Sequence, residues 1–216
     1  MNIGLLGGSF NPIHNAHLRI AGAARDACML DKVFFIPAAD PPHKPLAGDV
    51  SFEGRATMVG MAIAGCPDFE LSTIEAERGG KSYSIDTIKA FRERFPGDDL
   101  FFIIGGDSFL DIGSWYRYAE IFSLCNLIIA ERPGSPIIDQ REALPDAVKG
   151  EFTINGTTSR LTHHSGCSIF FITGSPLEIS STEIRKLAAA GGDISGYAPL
   201  NVAAYISQQR IYSQCQ

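Results

Sequence analysis

The sequence predicts an α/β protein, a doubly wound, mostly parallel sheet with helices on both faces. Three observations carry that prediction. Short apolar runs alternate with longer amphipathic ones along the chain. The apolar runs have consecutive apolar residues, as in Phe101-Phe102-Ile103-Ile104, which suits strands covered on both sides. Polar and charged groups (Ser9 and His14, Asp40 to Lys44, Asp107, Arg132) follow several of these runs, at the strand ends where an open α/β sheet collects a ligand.

Taken in order, Ile3–Leu6 is the first strand, and it enters Gly7-Gly8-Ser9-Phe10-Asn11-Pro12. Two residues without Cβ let the chain turn sharply and bring backbone N–H groups close to a ligand, and Pro12 stiffens the exit. Ala16–Leu30 is alanine-rich and predicts a helix. Lys32–Ile36 is the second strand, and the prolines at 37, 41, 42 and 45 make Ala38–Ser51 a loop. Helices are expected at Phe52–Ala64, at Ser84–Phe95 and within Asp107–Phe122, and strands at Glu70–Ser72, Leu100–Ile104, Asn126–Ala130 and Ser168–Ile172. Gly134–Cys167 mixes Pro, Gly, Ser and Thr with short apolar runs. It reads as a variable excursion near 134–167, with a small helix near Gln140–Val148 and a strand near Phe152–Ile154. Helices at Ser181–Ala190 and Asn201–Tyr212 make a C-terminal helical segment from about 180. One domain over residues 1–216 is the simplest organisation for this length.

Composition narrows the function classes. A hydrophobic fraction of 45% and a charged fraction of 19% are ordinary for a globular protein. A net charge of -6 argues against a broad basic surface for duplex nucleic acid, yet leaves an anionic small ligand open. The five cysteines, Cys28, Cys66, Cys125, Cys167 and Cys215, form no C-x-x-C pair and read as reduced apolar fillers. The N-terminal apolar run is too short for a secretory signal, and no apolar stretch reaches the length of a membrane span. A cytoplasmic protein with no membrane partner is expected, and a homo-oligomer is left open.

Two segments carry chemistry. His14 and His17 are three apart, so on one helical turn both imidazoles face the same way, beside a glycine turn and a helix start that favour an anion. The run is neither G-x-G-x-x-G nor a P-loop. Near the C-terminus, Ser180 with Glu183 is a capping-box pattern that marks a helix start. Hydroxyls there usually cap; Ser181, Thr182 and Arg185 one turn in also suit a polyphosphate, and both roles are compatible. His163, His164 and Cys167 have ligand-type side chains, but their spacing matches no established zinc pattern, so no metal site is expected.

The pair of segments Gly7–Leu18 (G-G-S-F-N-P-I-H-N-A-H-L) and Ile179–Arg185 (I-S-S-T-E-I-R) resembles the nucleotidylyltransferase superfamily. More narrowly, it is similar to the bacterial nicotinate-mononucleotide adenylyltransferases. Pro41-Pro42-His43-Lys44, Ser82-Tyr83-Ser84-Ile85-Asp86-Thr87, Ile104-Gly105-Gly106-Asp107-Ser108 and Trp115 extend the match over nearly the whole chain. Ala16 stands where the superfamily's H-x-G-H has glycine, Asn11 where aspartate is common, Gly106 where alanine is frequent and Ser84 where threonine is usual.

That resemblance implies a Rossmann-like nucleotidylyltransferase fold and adenylyl transfer from ATP to nicotinate mononucleotide, with Mg²⁺ accompanying ATP. It implies His14, His17, Lys44 and Arg185 as catalytic residues, with His17 nearest the reacting phosphate. Gly7, Gly8, Ser9, Phe10, Gly105, Asp107, Ser181 and Thr182 would bind ATP, the ribose falling to Gly105 and Asp107. Ser84 and Trp115 would bind the mononucleotide, with the indole on its pyridine ring. From the residues themselves, Asp107 equally suits a helix cap and Trp115 a core position. Arg55, after the proline-rich loop, is a weaker candidate than Lys44. Other phosphorylated acceptors (nicotinamide mononucleotide, or phosphopantetheine, whose enzymes tend to have threonine in place of His14) and a non-catalytic nucleotide sensor are the alternatives.

Overall fold

The computed structural model describes residues 1–42, 50–131, 136–154, 160–173 and 179–213. The described strands are β1 (Asn2–Gly8), β2 (Lys32–Pro37), β3 (Phe69–Leu71), β4 (Asp99–Gly105), β5 (Asn126–Glu131), β6 (Phe152–Ile154), β7 (Arg160–His163) and β8 (Ser168–Thr173). They form one sheet in the order β3-β2-β1-β4-β5-β8-β7-β6. β1 with β4, β4 with β5 and β5 with β8 are parallel, while β7 runs antiparallel to β8 and β6 to β7. The order reverses between β1 and β4, the topological switch point of a doubly wound sheet.

The helices are α1 (Asn15–Cys28), α2 (Phe52–Ile63), α3 (Ile74–Arg78), α4 (Ser84–Arg94), α5 (Gly106–Leu110), α6 (Tyr118–Leu124), α7 (Asp146–Lys149), α8 (Ser181–Ala189) and α9 (Leu200–Gln208). Every predicted strand is present, and the short β6 lies where the excursion was expected to hold one. Four readings are corrected. The first helix stops at Cys28 rather than Leu30, because Met29 turns to a φ of 49° and the Leu30 N–H closes the end on the Arg25 carbonyl. The stretch within Asp107–Phe122 is broken: α5, a 3-10 turn at Ile112–Ser114 and α6, with Arg117 at a φ of 54°. The last helix ends at Gln208, not Tyr212, since Arg210 and Tyr212 take φ values of 50° and 71°. α3 and β7 were not anticipated; five and four residues are too few to show a period.

The chain divides into two compact units. The first comprises residues 1–6, 20–33 and 83–176. Its core is the sheet centre, where Leu100–Ile104 of β4 and Leu127–Ala130 of β5 are buried on consecutive residues. Gly4 in β1 lets the neighbouring side chains close in: a Cβ would meet Leu30 Cδ1 at 2.8 Å and Val33 Cγ2 at 3.1 Å, so one of them would have to shift. α4 packs on α6, and Arg92 from α4 closes the end of α6 by donating Nη2 to the Leu124 carbonyl at 2.6 Å.

The second unit comprises residues 7–19, 34–82 and 177–216. Its core gathers Phe10, Ile13, Phe35, Met58, Val59, Ile184 and Val202, all 1% exposed or less. α2 packs on α9, and Asn201 donates to the Met61 carbonyl at 2.7 Å. Among the described residues no helix is long and apolar enough to cross a membrane.

Candidate active site

The glycine turn belongs to the second unit. Phe10 sits at a φ of 43°, a strained region for a bulky residue, with its ring fully in the core. Packing holds it there, with Phe35 at 5.9 Å and the edge of His17 at 5.0 Å between centroids. Gly8 leaves room for that ring, since a Cβ would meet Phe10 Cζ at 3.3 Å. The Gly8 carbonyl accepts from the Ala38 N–H at 2.9 Å, which ties the end of β1 to the end of β2. Gly7 and Ser9 are exposed, and the Asn11–Pro12 peptide is cis. Phe10 therefore offers backbone, not its side chain, to any ligand.

His14 and His17 do face the same way. Their rings stack with centroids 3.8 Å apart and 28° between planes. α1 starts at Asn15, so His14 precedes its first turn, and its N–H donates to Nδ1 of His17 at 3.2 Å. An Nδ1 that accepts leaves the proton of the neutral imidazole on Nε2, so His17 presents a donor. Burial pushes His14 down to about 4 and holds His17 well below the ordinary histidine range, the neighbouring His14 adding to the effect on His17. Both rings are neutral at pH 7.

The C-terminal segment closes on this turn across 169 and 174 residues of sequence. Ser180 makes the full capping box with Glu183. That releases the next hydroxyl: Ser181 Oγ donates to the Pro12 carbonyl at 3.0 Å. Arg185 donates Nη1 to the Asn11 carbonyl at 2.7 Å and Nη2 to Thr182 Oγ1 at 3.1 Å. Gly7 to His17, Ser181, Thr182 and Arg185 are thus brought together within one unit, through backbone carbonyls of the turn.

Two further residues contribute that local sequence pattern shows weakly or not at all. Arg55 of α2 is completely buried and donates Nη1 to the Ser9 carbonyl at 2.7 Å, under the turn. Burial pushes its guanidinium below the usual arginine range, partly offset by Tyr212, Glu53 and Glu75. The signal was present: Arg55 lies four and eight residues before Val59 and Ile63, on the apolar stripe of its helix. Tyr212 donates its hydroxyl to Asn11 Oδ1 at 2.7 Å, a bond made only because the chain leaves helical geometry after Gln208. Among the described residues, the buried side-chain polar atoms with no partner are His14 Nδ1 and Arg55 Nε, both at this turn.

The remaining predicted residues lie in the first unit. Gly105 ends β4, and Asp107 is exposed in the first turn of α5 without acting as its side-chain cap. Ser84 opens α4, whose start has no side-chain cap. Trp115 is half-buried, edge-on to Phe102 with centroids 6.3 Å apart. Beside it in sequence, Tyr116 packs on Tyr83 at 4.6 Å. Lys44 and Arg132 lie outside the described residues.

Residues 5–187 match the cytidylyltransferase-like family. The chain is 57% identical over 215 residues to a Pelobacter propionicus protein named "Probable nicotinate-nucleotide adenylyltransferase", covering 100% of both chains. It is 54% identical to a protein of the same name from Geotalea uraniireducens, again over 100% of both. Among solved structures, the Plasmodium falciparum nicotinic acid mononucleotide adenylyltransferase complexed with NaAD superposes with a TM-score of 0.73. At 22% identity over 98% of this chain and 97% of that one, it shows the fold.

Proposed function

The chain belongs to the cytidylyltransferase-like family and, within it, to the nicotinate-nucleotide adenylyltransferases, and from that premise we propose how its residues carry the reaction. It transfers the adenylyl group of ATP to nicotinate mononucleotide, giving deamido-NAD and pyrophosphate in NAD biosynthesis. A 5′-phosphate oxygen of the mononucleotide attacks the α-phosphorus, the bond from that phosphorus to the bridging oxygen breaks, and pyrophosphate leaves. A phosphate monoester is largely dianionic at pH 7, its second pKa being about 6, so no general base is needed. The protein's task is positioning and electrostatics.

The observation that carries this reading is the pair of unpartnered buried atoms, His14 Nδ1 and Arg55 Nε, at a glycine turn. Buried polar groups are almost always paired, and unpaired ones beside exposed backbone suit a ligand that completes them. His17 donates Nε2–H to an α-phosphate oxygen, and His14 acts beside it. The N–H groups of Gly7, Gly8, Ser9 and Phe10 line the approach, Ser181 and Thr182 hold the phosphate tail, and Lys44 and Arg185 offset its charge. Gly105 and Asp107 hold the ribose. The uncapped start of α4 at Ser84 receives the nicotinate carboxylate, because free N–H groups and the helix dipole favour an anion there. Trp115 stacks on the pyridine ring.

Mg²⁺ takes oxygen ligands and retains waters. Among the described residues the group of His, Cys, Asp and Glu side chains able to hold an ion is Glu151, His163 and His164, which is rich in nitrogen. Mg²⁺ would enter with ATP, held mainly by the nucleotide's own phosphate oxygens, and would there help His17, Lys44 and Arg185 offset phosphate charge. A cytoplasmic location and the absence of a nucleic-acid partner complete the reading. The test is pyrophosphate release from Mg·ATP with nicotinate mononucleotide, against nicotinamide mononucleotide and phosphopantetheine. Release with the acid, reduced by Trp115→Ala through KM for the mononucleotide, is expected. Equal turnover with the amide would overturn the roles of Ser84 and α4.

A further inference from the structure

Outside the residues given roles above, the first unit holds a second pair of adjoining imidazoles, His163 and His164, tilted by 33° with centroids 4.1 Å apart. Both address one carboxylate. Nε2 of His163 lies 2.8 Å from Glu151 Oε2, and Nδ1 of His164 lies 3.9 Å from the same oxygen. The second distance is too long for a hydrogen bond, so His164 points at an oxygen it does not bond. The three donor atoms lie within 4.8 Å of one another. We propose that Glu151, His163 and His164 form a binding site for a divalent transition metal of the zinc class.

Three features support this. The first is the donor set: two imidazole nitrogens and one carboxylate suit zinc and its neighbours, not Mg²⁺ or Ca²⁺. Zinc bonds to nitrogen and oxygen at about 2.0–2.2 Å, which sets tetrahedral donors about 3.4 Å apart, so the observed spacings need only small side-chain rotations. Two of the three side chains are free to make them, Glu151 being 41% and His164 68% exposed.

The second feature is the fixed ligand. His163 has a side chain only 2% exposed, and its Nδ1 lies 2.8 Å from Ser165 Oγ. A proton on Nδ1 donated to that hydroxyl leaves Nε2 as a lone pair aimed at Glu151, the outer support that ligating histidines usually have. Without a metal, the Ser165 N–H, 3.2 Å from Nδ1, supports the other tautomer, with Nε2–H donating to Glu151. The third is the backbone, which already holds the ligands in register. The His164 N–H donates to the Glu151 carbonyl at 2.9 Å, and the His163 N–H to the Cys167 carbonyl at 2.8 Å. A bound ion would staple the start of β6 to the end of β7.

The experiment is calorimetric titration of the metal-stripped full chain with zinc chloride, with the visible spectrum of the cobalt-loaded protein reporting ligand geometry. One equivalent of zinc is expected per chain. His164→Ala and E151Q should each weaken it at least about tenfold, while H17A leaves it unchanged. His164 is exposed, so His164→Ala should fold and retain pyrophosphate release, which separates this test from that of the adenylyl-transfer reading. No zinc uptake by the parent chain, or uptake that both substitutions leave unaltered, would overturn the proposal.

Discussion

The chain builds two close histidine pairs, one stacked and one tilted, and surrounds them in opposite ways. His14 and His17, at the glycine turn, pack 3.8 Å apart against Phe10, with no carboxylate hydrogen-bonded to either ring among the described contacts. Desolvation keeps them neutral, and one of their nitrogens is buried without a partner. His163 and His164 share a similar ring geometry, at 4.1 Å and 33°, but are turned on Glu151 and braced by Ser165. The difference teaches that the residue type does not select the ligand. A donor set without a counter-charge awaits an anion; the same rings beside a carboxylate await a cation.

The comparison can be broken most strongly at His17. His17→Ala should lower kcat/KM for pyrophosphate release about a hundredfold or more, roughly 3–4 kcal/mol, the typical loss for an oxyanion-type donor. A change of only a few-fold would remove His17 from the chemistry. Acid titration sharpens it next. His14 has a folded pKa of about 4 against 6.5 in the unfolded chain, so the unfolded state takes up the proton first as pH falls. Stability is therefore complete above pH 6.5 and is lost between 6.5 and 4, with a contribution of order 3 kcal/mol. Urea denaturation across that window should show the loss, and His14→Gln should reduce it without abolishing it, because His17 is also held below the ordinary histidine range by burial.

Arg55 comes third. Arg55→Met removes the donor to the Ser9 carbonyl and should cost about 2–3 kcal/mol, the worth of a hydrogen bond from a charged group. It should also raise KM for ATP; a stable variant with unchanged KM would sever Arg55 from the turn. The smallest effect belongs to the capping box. Ser180→Ala should cost about 1 kcal/mol in chemical denaturation with little change in kcat, because Ser181 rather than Ser180 bonds the turn.

How much of this could be read beforehand depends on the range of the interactions. The strands were legible because consecutive buried residues such as Phe101 to Ile104 leave a mark in composition alone. The histidine motif and the capping box were legible because their partners lie within three residues. β7 was not, since Arg160–His163 carries one apolar residue and is a strand only because β6 and β8 flank it. Arg55 is only partly legible: its place on the helix stripe is local, yet the Ser9 carbonyl that it serves is 46 residues away. The neighbour that His163 and His164 face escapes local spacing for the same reason. Spacing paired the two histidines with Cys167, whereas the carboxylate they share belongs to Glu151, 12 residues before His163.

By itself, then, the sequence determined the alternating α/β pattern, the glycine turn, the paired imidazoles and the start of α8. Each is decided by steric freedom, helix period or a hydrogen bond spanning a single turn of chain. Tertiary structure alone decided that Ser181 and Arg185 grip Pro12 and Asn11, that Tyr212 turns inward to Asn11, and that the two histidine pairs meet opposite surroundings. Those outcomes depend on which groups lose water together, and desolvation is a property of the packed neighbourhood rather than of any short stretch of residues.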